Sequence, residues 1–245
     1  MADRIRSPFE GKPDEEKIES IRKMFGEITP HYDLLNHLLS GGQDFLWRAF
    51  AVSKLPENAR VVLDVATGTG DLALDIVRKK PYIHVTGLDF VPQMLDKARE
   101  KTEARKLSDR ITYLQGDAME LPFEADSFDA ATVAFGLRNM PDRVGALREM
   151  ARVVKPGGRV LVLEMTFPEN LGMRRFFSCY FRHVIPFMGS MISGNRKAYE
   201  HLPSSIQDFP KPDQLSEYFK QAGMEKVDAH RMTFGITYLH CGTVV

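Results

Sequence analysis

The spacing of hydrophobic positions changes near residue 60. Before that point, apolar side chains recur every three or four residues, as at Ile18, Ile21 and Phe25, which is the spacing of one face of a helix. Beyond it, short runs rich in β-branched residues, such as VVLDVA (61–66), alternate with further helical stretches. This pattern predicts N-terminal helices followed by strands that alternate with helices.

Five strands are predicted in the alternating part. Strands that are separated by helices and short connections form a parallel sheet with helices on both faces. The helix before the fifth strand is predicted to be closed by the glycine-rich turn at 156–158. The predicted strands cover residues 61–66, 84–90, 110–117, 128–136 and 159–165.

The last part of the chain departs from this alternation. Residues 168–210 are predicted to be a long, mostly helical insertion. A helix around Leu215 then precedes two strands near 225–230 and 234–244. Because the link between these two strands is so short, they are expected to pair as an antiparallel hairpin.

Composition excludes several classes of protein. The 33 Lys and Arg residues balance 33 Asp and Glu residues, whereas dedicated nucleic-acid binders usually carry a basic excess. Two cysteines, Cys179 and Cys241, match neither a disulfide framework nor a zinc motif, so no metal site is expected and a cytoplasmic setting is favoured. The N-terminal segment does not resemble a signal peptide, and no stretch without charged residues reaches the ~18 residues of a membrane span.

A glycine-bearing turn, LDVATGTGD (63–71), follows the first strand. In a doubly wound sheet this turn lies at the switch point, beside which ligands bind. Gly68 and Gly70 lack a Cβ atom, so the backbone can bend tightly and a ligand can lie against it. Ala73 takes the third position of the dinucleotide fingerprint, so the glycines alone leave nicotinamide and other nucleotide cofactors open.

Carboxylates around this turn favour a positively charged cofactor. Asp64 and Asp71 flank the turn where a pyrophosphate would otherwise lie, Asp89 ends the second strand and can accept ribose hydroxyls, and Asp117 ends the third strand near an adenine amino group. One strand-end Asp is equally often a helix cap. Four of them around one crevice favour S-adenosylmethionine, which carries a sulfonium.

Backbone and apolar groups complete the predicted cofactor site. The Ala118 N–H can bond an adenine ring nitrogen, while Phe90 and Met119 can cover the faces of the ring. The predicted cofactor-binding residues are Asp64, Ala66, Gly68, Thr69, Gly70, Asp89, Phe90, Asp117, Ala118, Met119 and Ala134.

Three longer segments carry a family resemblance. They are YDLLNHLLSGGQDFLW (32–47), AFGLRNMPD (134–142) and RVVKPGGRVLVLEMT (152–166). These segments resemble the UbiE/MenG family of class I S-adenosylmethionine-dependent methyltransferases, and the resemblance covers nearly the whole chain. Asp44 stands where the family commonly has His, and Leu35 where Met is common. Neither lies in the predicted cofactor turn, so both departures bear on the substrate rather than the reaction.

The resemblance implies a fold and a reaction. The fold is α/β and Rossmann-like, a class I methyltransferase with a seven-stranded, mostly parallel sheet, one antiparallel strand and helices on both faces. The reaction is methylation of a ring carbon in a prenylated quinol. KAYEHLPSSIQDFP (197–210) is more similar to the menaquinone branch, so we expect conversion of demethylmenaquinol to menaquinol in menaquinone biosynthesis. Methylation of the ubiquinone precursor 2-methoxy-6-polyprenyl-1,4-benzoquinol, or dual specificity, is the alternative.

The segment after the fourth strand supplies the predicted catalytic residues. Arg138 and Asn139 can polarise a quinol oxygen and stabilise a phenolate. The alternative is structural: Arg138 pairs with a carboxylate and Asn139 caps the next helix. The predicted substrate contacts are Tyr32, Phe135 and His201.

Two hypotheses from other functional classes stay open. An NAD(P)-dependent oxidoreductase would use the same kind of turn, although the acidic residues count against it. A non-catalytic S-adenosylmethionine-binding subunit would keep the turn but would need neither Arg138 nor Asn139.

The chain is expected to form a single methyltransferase domain (1–245). Its parts are an N-terminal arm with a helical cap (1–56), a cofactor-binding core (57–167), an insertion over the substrate site (168–210), and the last helix with its hairpin (211–245).

An aromatic stripe in the insertion carries basic residues on its edges. It suits a prenyl tail or peripheral contact with the inner face of the membrane, and equally a helix packed on the sheet or in a homodimer interface. The stripe consists of Phe176, Phe177, Tyr180, Phe181 and Val184.

Overall fold

Seven strands of one sheet form the centre of the molecule. The structure, a computed structural model, describes residues 14–168, 170–180, 184 and 196–245. The strands are β1 (Val61–Val65), β2 (His84–Asp89), β3 (Ile111–Gln115), β4 (Phe128–Ala134), β5 (Val154–Met165), β6 (Met224–Met232) and β7 (Thr237–Val244).

Helices surround the sheet. In the described part of the chain they are α1 (Asp14–Ile28), α2 (Tyr32–Leu39), α3 (Gln43–Ser53), α4 (Asp71–Lys79), α5 (Pro92–Ala104), α6 (Arg143–Val153), α7 (Leu171–Cys179), α8 (Arg196–Gln207) and α9 (Pro212–Gln221). Short 3₁₀ turns cover Thr29–His31, Leu137–Asn139 and Thr233–Gly235.

The strand order is β3-β2-β1-β4-β5-β7-β6. β7 runs antiparallel to both neighbours, and the other paired strands are parallel. The predicted sheet with one antiparallel strand is therefore confirmed, as is the hairpin of β6 and β7. After β3 the chain crosses to the other side of β1, so the switch point opens between the carboxyl ends of β1 and β4.

Alternating side chains of β1 pack into two separate cores. Val62 faces the side covered by α3 and α4, whereas Leu63 and Val65 face the side covered by α6 and α9. A strand buried on both faces needs an apolar residue at nearly every position. This requirement explains the continuous β-branched run, with the single exception of Asp64 near its end.

The N-terminal helices form a third apolar cluster at the carboxyl edge of the sheet. Ile21 and Met24 of α1 and Leu35 of α2 pack together with Ile206 of α8. Burial of each such side chain contributes roughly 1.5–3 kcal/mol to the stability of the fold. The cap and the insertion therefore hold each other over the switch point.

β5 begins earlier than predicted. Val154 already pairs with Phe128, and an irregularity precedes the pairing of Arg159 with Ala130. The expectation of a glycine-rich turn between α6 and a strand beginning at 159 is therefore wrong. Gly157, at φ +80, lets the strand bulge without ending it.

Some predicted features lie outside the described residues. These are residues 1–13 of the N-terminal arm, residues 181–183 and 185–195 of the predicted helical insertion, which include the stripe residue Phe181, and the side chain of Phe176. Among the helices that the structure describes, none combines the length and the apolar character needed to cross a bilayer.

Candidate active site

Two neighbouring cavities lie at the switch point. The small cavity, about 120 Å³, and the large cavity, about 350 Å³, share five lining residues: Tyr32, Ala66, Gly68, Ala134 and Phe135. The predicted cofactor residues Asp89, Phe90, Asp117, Ala118 and Met119 line the small cavity. Asp64 and Thr69 line the large one, together with Arg138.

The backbone between the cavities is strained at two non-glycine residues. Ala66 has φ 51 and Phe135 has φ 58, the left-handed region that L-residues seldom occupy. They directly follow β1 and β4, the two strands that border the switch point. A Cβ added at Gly136 would lie 2.6 Å from the Cβ of Ala66, so the two loops approach closely enough to require glycine there.

Gly70 lies behind the turn and lines neither of these cavities. Its φ of +80 places the chain at the start of α4, and an added Cβ would lie 3.1 Å from the Cβ of Ala98 and 3.2 Å from Cζ of Tyr113. Gly70 therefore shapes the turn from behind. Its predicted contact with the cofactor stays a prediction.

Asp89 joins β2 to the glycine turn. Its Oδ2 accepts the Gly68 N–H at 2.8 Å, and its Oδ1 accepts the Val91 N–H at 2.9 Å. Burial raises the pKa of Asp89 to about 6, even though these hydrogen bonds act in the opposite direction. Each oxygen keeps a lone pair with which it can accept a ligand hydroxyl.

Asp64 is a buried carboxylate at the end of β1. It is 1% exposed and accepts the hydroxyls of Thr67 at 2.6 Å and Thr132 at 2.7 Å. Burial raises the pKa of Asp64 to about 6. The side chain therefore gains its negative charge only near neutral pH.

The charge of Asp71 is already balanced within the protein. Its carboxylate binds Lys101 at 2.5 Å and lies 3.7 Å from Arg48. The expectation that Asp71 repels a pyrophosphate through an unpaired negative charge is therefore corrected, because two cationic side chains lie beside that carboxylate.

A hydrogen-bonded tether joins the turn to the helical cap. The Thr69 hydroxyl donates to Asp33 of α2, and Asp33 also binds Lys101 of α5 at 2.5 Å. Lys101 was missed by sequence reasoning, because nothing in the pattern of α5 distinguishes it from the other surface lysines. The tether fixes α2 over the glycine turn.

Asp44 belongs to the wall of the large cavity. It is 3% exposed and accepts hydrogen bonds from Ser40, His37 and Arg48 at 2.6–2.7 Å. Although burial raises it, the hydrogen bonds from Ser40 and Arg48 bring the pKa of Asp44 below its ordinary value. The family departure at this position is therefore connected to the glycine turn, since Arg48 joins Asp44 to Asp71.

A possible set of metal ligands in this wall is occupied by an arginine. Ligand atoms of His37, Asp44 and Asp71 lie within 4.8 Å of one another. The guanidinium of Arg48 donates to Asp44 at 2.6 Å and lies near Asp71. The cluster is therefore explained by its own ion pairs.

Arg138 follows β4 and lines the large cavity. Its Nη1 donates to Oε2 of Glu164 at 2.8 Å, and both side chains are buried. The carboxylate pairing that the sequence left as an alternative is thus present. Glu164 itself was missed, although it lies in one of the three family-like segments.

Asn139 pairs with His201 from the insertion. His201 Nε2 lies 3.1 Å from Oδ1 of Asn139. Burial, with Arg138 and Lys17 nearby, lowers the pKa of His201 to about 4, so the imidazole is neutral near pH 7. The alternative that Asn139 caps α6 is wrong, because the side chain of Asp142 accepts the Gly145 N–H and serves as the cap.

The predicted substrate residues do not share one cavity. Phe135 lines the large and small cavities, whereas His201 lines a third of about 50 Å³ beside Arg138 and Asn139. Tyr32 lines all three, and burial raises the pKa of its phenol. Tyr32 is therefore the common wall of the site.

This sheet order, with its cavities at the switch point, is the architecture of a class I S-adenosylmethionine-dependent methyltransferase. A solved methyltransferase of Thermotoga maritima, described as a possible histamine N-methyltransferase, has the same fold with a TM-score of 0.63 at 19% identity. The match covers 91% of this chain and 99% of that one.

The chain belongs to the ubiE/COQ5 methyltransferase family, whose model matches residues 12–244. Demethylmenaquinone methyltransferase of Deinococcus radiodurans is 44% identical, with 97% of each chain covered. The Thermus thermophilus protein of the same name is 47% identical over 89% of this chain and 99% of its own. The ubiquinone/menaquinone biosynthesis C-methyltransferase UbiE of Geobacter sp. is 44% identical over 93% of this chain and 97% of its own.

Proposed function

We propose that this protein transfers a methyl group from S-adenosylmethionine to a ring carbon of demethylmenaquinol, forming menaquinol. The names of the Deinococcus and Thermus relatives support the substrate, and the family supports the cofactor. The observation that carries the proposal is the pair of cavities that meet along shared walls at the switch point. One suits a nucleoside, and the other has room for an amino-acid chain and an aromatic ring.

The small cavity fits an adenosine. Asp89 can accept the ribose hydroxyls, and Asp117 binds the Met119 N–H with one oxygen, which leaves the other oxygen for an adenine amino group. Phe90 and Met119 offer apolar faces to the base. The Ala118 N–H, which donates no hydrogen bond within the described part of the chain, completes the contacts.

The turn side of the large cavity fits the charged end of the cofactor. Asp64 and Thr69 line it there, with Arg48 and Asp44 further along the wall. When bound, S-adenosylmethionine supplies a methyl group on a positively charged sulfur. The protein's part is to orient this group toward the region shared by both cavities, where Tyr32, Ala134 and Phe135 meet.

Arg138, which lines the large cavity, is proposed to hold the quinol, and Asn139, which lines the small and third cavities, is proposed to reach it only where the small cavity meets the large one. A donor aimed at a quinol oxygen stabilises the negative charge that makes the ring a carbon nucleophile. Trp47, Met165 and Ile236 offer apolar contacts to the ring. Correct placement of the reacting groups can supply roughly 7–11 kcal/mol of the required lowering of the barrier.

Turnover decides between the substrates. Purified protein with labelled S-adenosylmethionine and short-chain demethylmenaquinol should yield labelled menaquinol, while a demethylated benzoquinol should react more slowly. The family name UbiE makes the benzoquinol the second candidate. Methylation of the benzoquinol alone would move the protein to the ubiquinone branch, and methylation of neither would favour the non-catalytic subunit.

A polyprenyl tail is long and apolar, so we propose that it leaves the large cavity toward the surface of the protein. Exposed apolar side chains lie on α2, α3 and the 3₁₀ turn before β7, three elements that also supply residues to the wall of the large cavity. They include Leu34 at 58%, Leu46 at 63% and Phe234 at 73% exposed. We propose that this rim contacts the lipid surface.

Vesicle binding tests the rim. The triple variant Leu34→Ser, Leu46→Ser and Phe234→Ser should sediment less with anionic phospholipid vesicles than the unmodified protein. Its affinity for S-adenosylhomocysteine should be unchanged, because none of the three side chains lines a cavity. Equal sedimentation of both proteins would contradict the proposed contact.

A further inference from the structure

We propose that Glu164 is a positioning residue that holds Arg138 ready for the quinol oxygen. The inference rests on the proposed function, because it names how one of its residues is held. Glu164 lies at the end of β5, next to the strand that leads into Arg138. Glu164 is not among the site residues predicted from the sequence.

One carboxylate fixes both the backbone and the side chain of Arg138. Glu164 Oε1 accepts the Arg138 backbone N–H at 3.1 Å, and Oε2 accepts Nη1 of the same residue at 2.8 Å. Oε2 also accepts the Met165 N–H at 3.1 Å. Since Glu164 is only 1% exposed and sits on a central strand, the arginine is held from a rigid support.

The guanidinium keeps an unused donor. The Nε of Arg138 is buried and has no hydrogen-bond partner among the residues that the structure describes. Leaving a buried donor unsatisfied costs roughly 1–3 kcal/mol, and more for a charged group. Arg138 lines the large cavity, so its guanidinium can meet a ligand oxygen there, although Nε itself is shielded from the open space.

The chemistry of the proposed reaction supplies such an oxygen. As the ring carbon forms its bond to the methyl group, the sulfur–carbon bond breaks and sulfur takes the electron pair. The quinol oxygen donates electron density into the ring, and the proton on the methylated carbon then leaves to solvent. A guanidinium held in one orientation stabilises the oxygen's charge before the bond forms.

Stability alone does not account for this ion pair. Replacing a buried ion pair by apolar side chains is often neutral or stabilising, whereas removal of one partner is strongly destabilising. The ion pair can instead serve to orient the Arg138 side chain. The two roles make different predictions for turnover.

Glu164→Gln tests the inference, with Glu149→Gln as the matched control. Glu149 also binds an arginine side chain and a backbone N–H, those of Arg152 and Leu121, but lines none of the cavities. Glu164→Gln should lower kcat about 10- to 100-fold with labelled demethylmenaquinol. Its affinity for S-adenosylhomocysteine should stay within about twofold of the unmodified protein, and Glu149→Gln should keep full kcat.

A double-mutant cycle separates positioning from folding. If Glu164 acts through Arg138, adding Glu164→Gln to Arg138→Met should lower kcat no further. Glu164→Asp, which keeps the charge but withdraws the carboxylate, should fold and show an intermediate kcat. Full kcat in folded Glu164→Gln or Glu164→Asp would overturn the inference. So would equal losses in both backgrounds, or a parallel loss of S-adenosylhomocysteine binding. The unmodified protein's own turnover tests the proposed function separately.

Discussion

At the scale of single residues, burial sets the charge of the site. Asp64 and Asp89 have pKa values raised to about 6, and His201 has one lowered to about 4, each chiefly by burial. A positively charged cofactor is bound best when both carboxylates are ionised. Neutral His201 can support Asn139 without repelling that charge.

Cofactor affinity should therefore fall in mild acid. Below pH 6 Asp89 becomes protonated, so S-adenosylmethionine should bind at least about tenfold more weakly at pH 5 than at pH 7. Titration calorimetry at both pH values measures the change. Asp89→Asn should bind weakly at both, and an unmodified protein whose affinity does not change over this interval would contradict the assignment.

His201 should make the fold sensitive to acid. Its folded pKa, about 4, lies below the unfolded value, so its contribution to stability is present above pH 6.5 and is lost as pH falls toward 4. Between pH 7.5 and 5, the unmodified protein should lose about 2 kcal/mol more unfolding free energy than His201→Gln. Urea unfolding at both pH values tests this, with exposed His31→Gln as the control that should behave like the unmodified protein.

At the scale of elements, the central strands could be predicted, because a strand covered on both faces must be apolar at nearly every position. The glycine turn could be placed for the same reason, since it follows such a strand directly. The partners of the turn could not. Lys101 reaches Thr69 and Asp33 from a different helix, and no sequence spacing encodes that meeting.

The site shows the same division. Arg138 and Asn139 were found through a family-like segment, but their contacts with Glu164 and His201 join β4 to β5 and to the insertion. Such contacts depend on how separate elements pack. The early start of β5 was missed because its glycines suggest a turn when the neighbouring strand is not known.

Gly70 and Gly157 allow backbone strain to be separated from crowding. Both have φ +80, but a Cβ at Gly70 would press on Tyr113 and Ala98, whereas one at Gly157 would have no neighbour within 4 Å. Gly157→Ala should lower the free energy of unfolding by about 1–2 kcal/mol, because of the backbone conformation alone. Gly70→Ala should lower the free energy of unfolding by about 1–3 kcal/mol more than Gly157→Ala does, because the added Cβ is also crowded. Equal losses in urea unfolding would show that the turn is not crowded from behind.

At the scale of the whole molecule, the cofactor is proposed to bind between the sheet and a cap that packs on the insertion. A ligand that binds only the folded state stabilises it by about 2.7 kcal/mol at 100 times its dissociation constant. S-adenosylhomocysteine should therefore raise the melting temperature, and NAD should not. Thermal unfolding with each ligand checks this, and a rise with NAD alone would favour the oxidoreductase.

The tether from Thr69 through Asp33 to Lys101 joins the helical cap to the glycine turn. Docking of the cap and binding of a ligand at the turn should therefore be coupled equilibria. The coupling is reciprocal: if docking of the cap increases the affinity for the cofactor by some factor, binding of the cofactor increases the equilibrium constant for docking of the cap by the same factor. We therefore expect a higher concentration of S-adenosylmethionine to keep α2 docked on the turn for a larger fraction of the time. Amide hydrogens of α2 should exchange more slowly as the cofactor concentration rises, and Asp33→Asn should break that dependence.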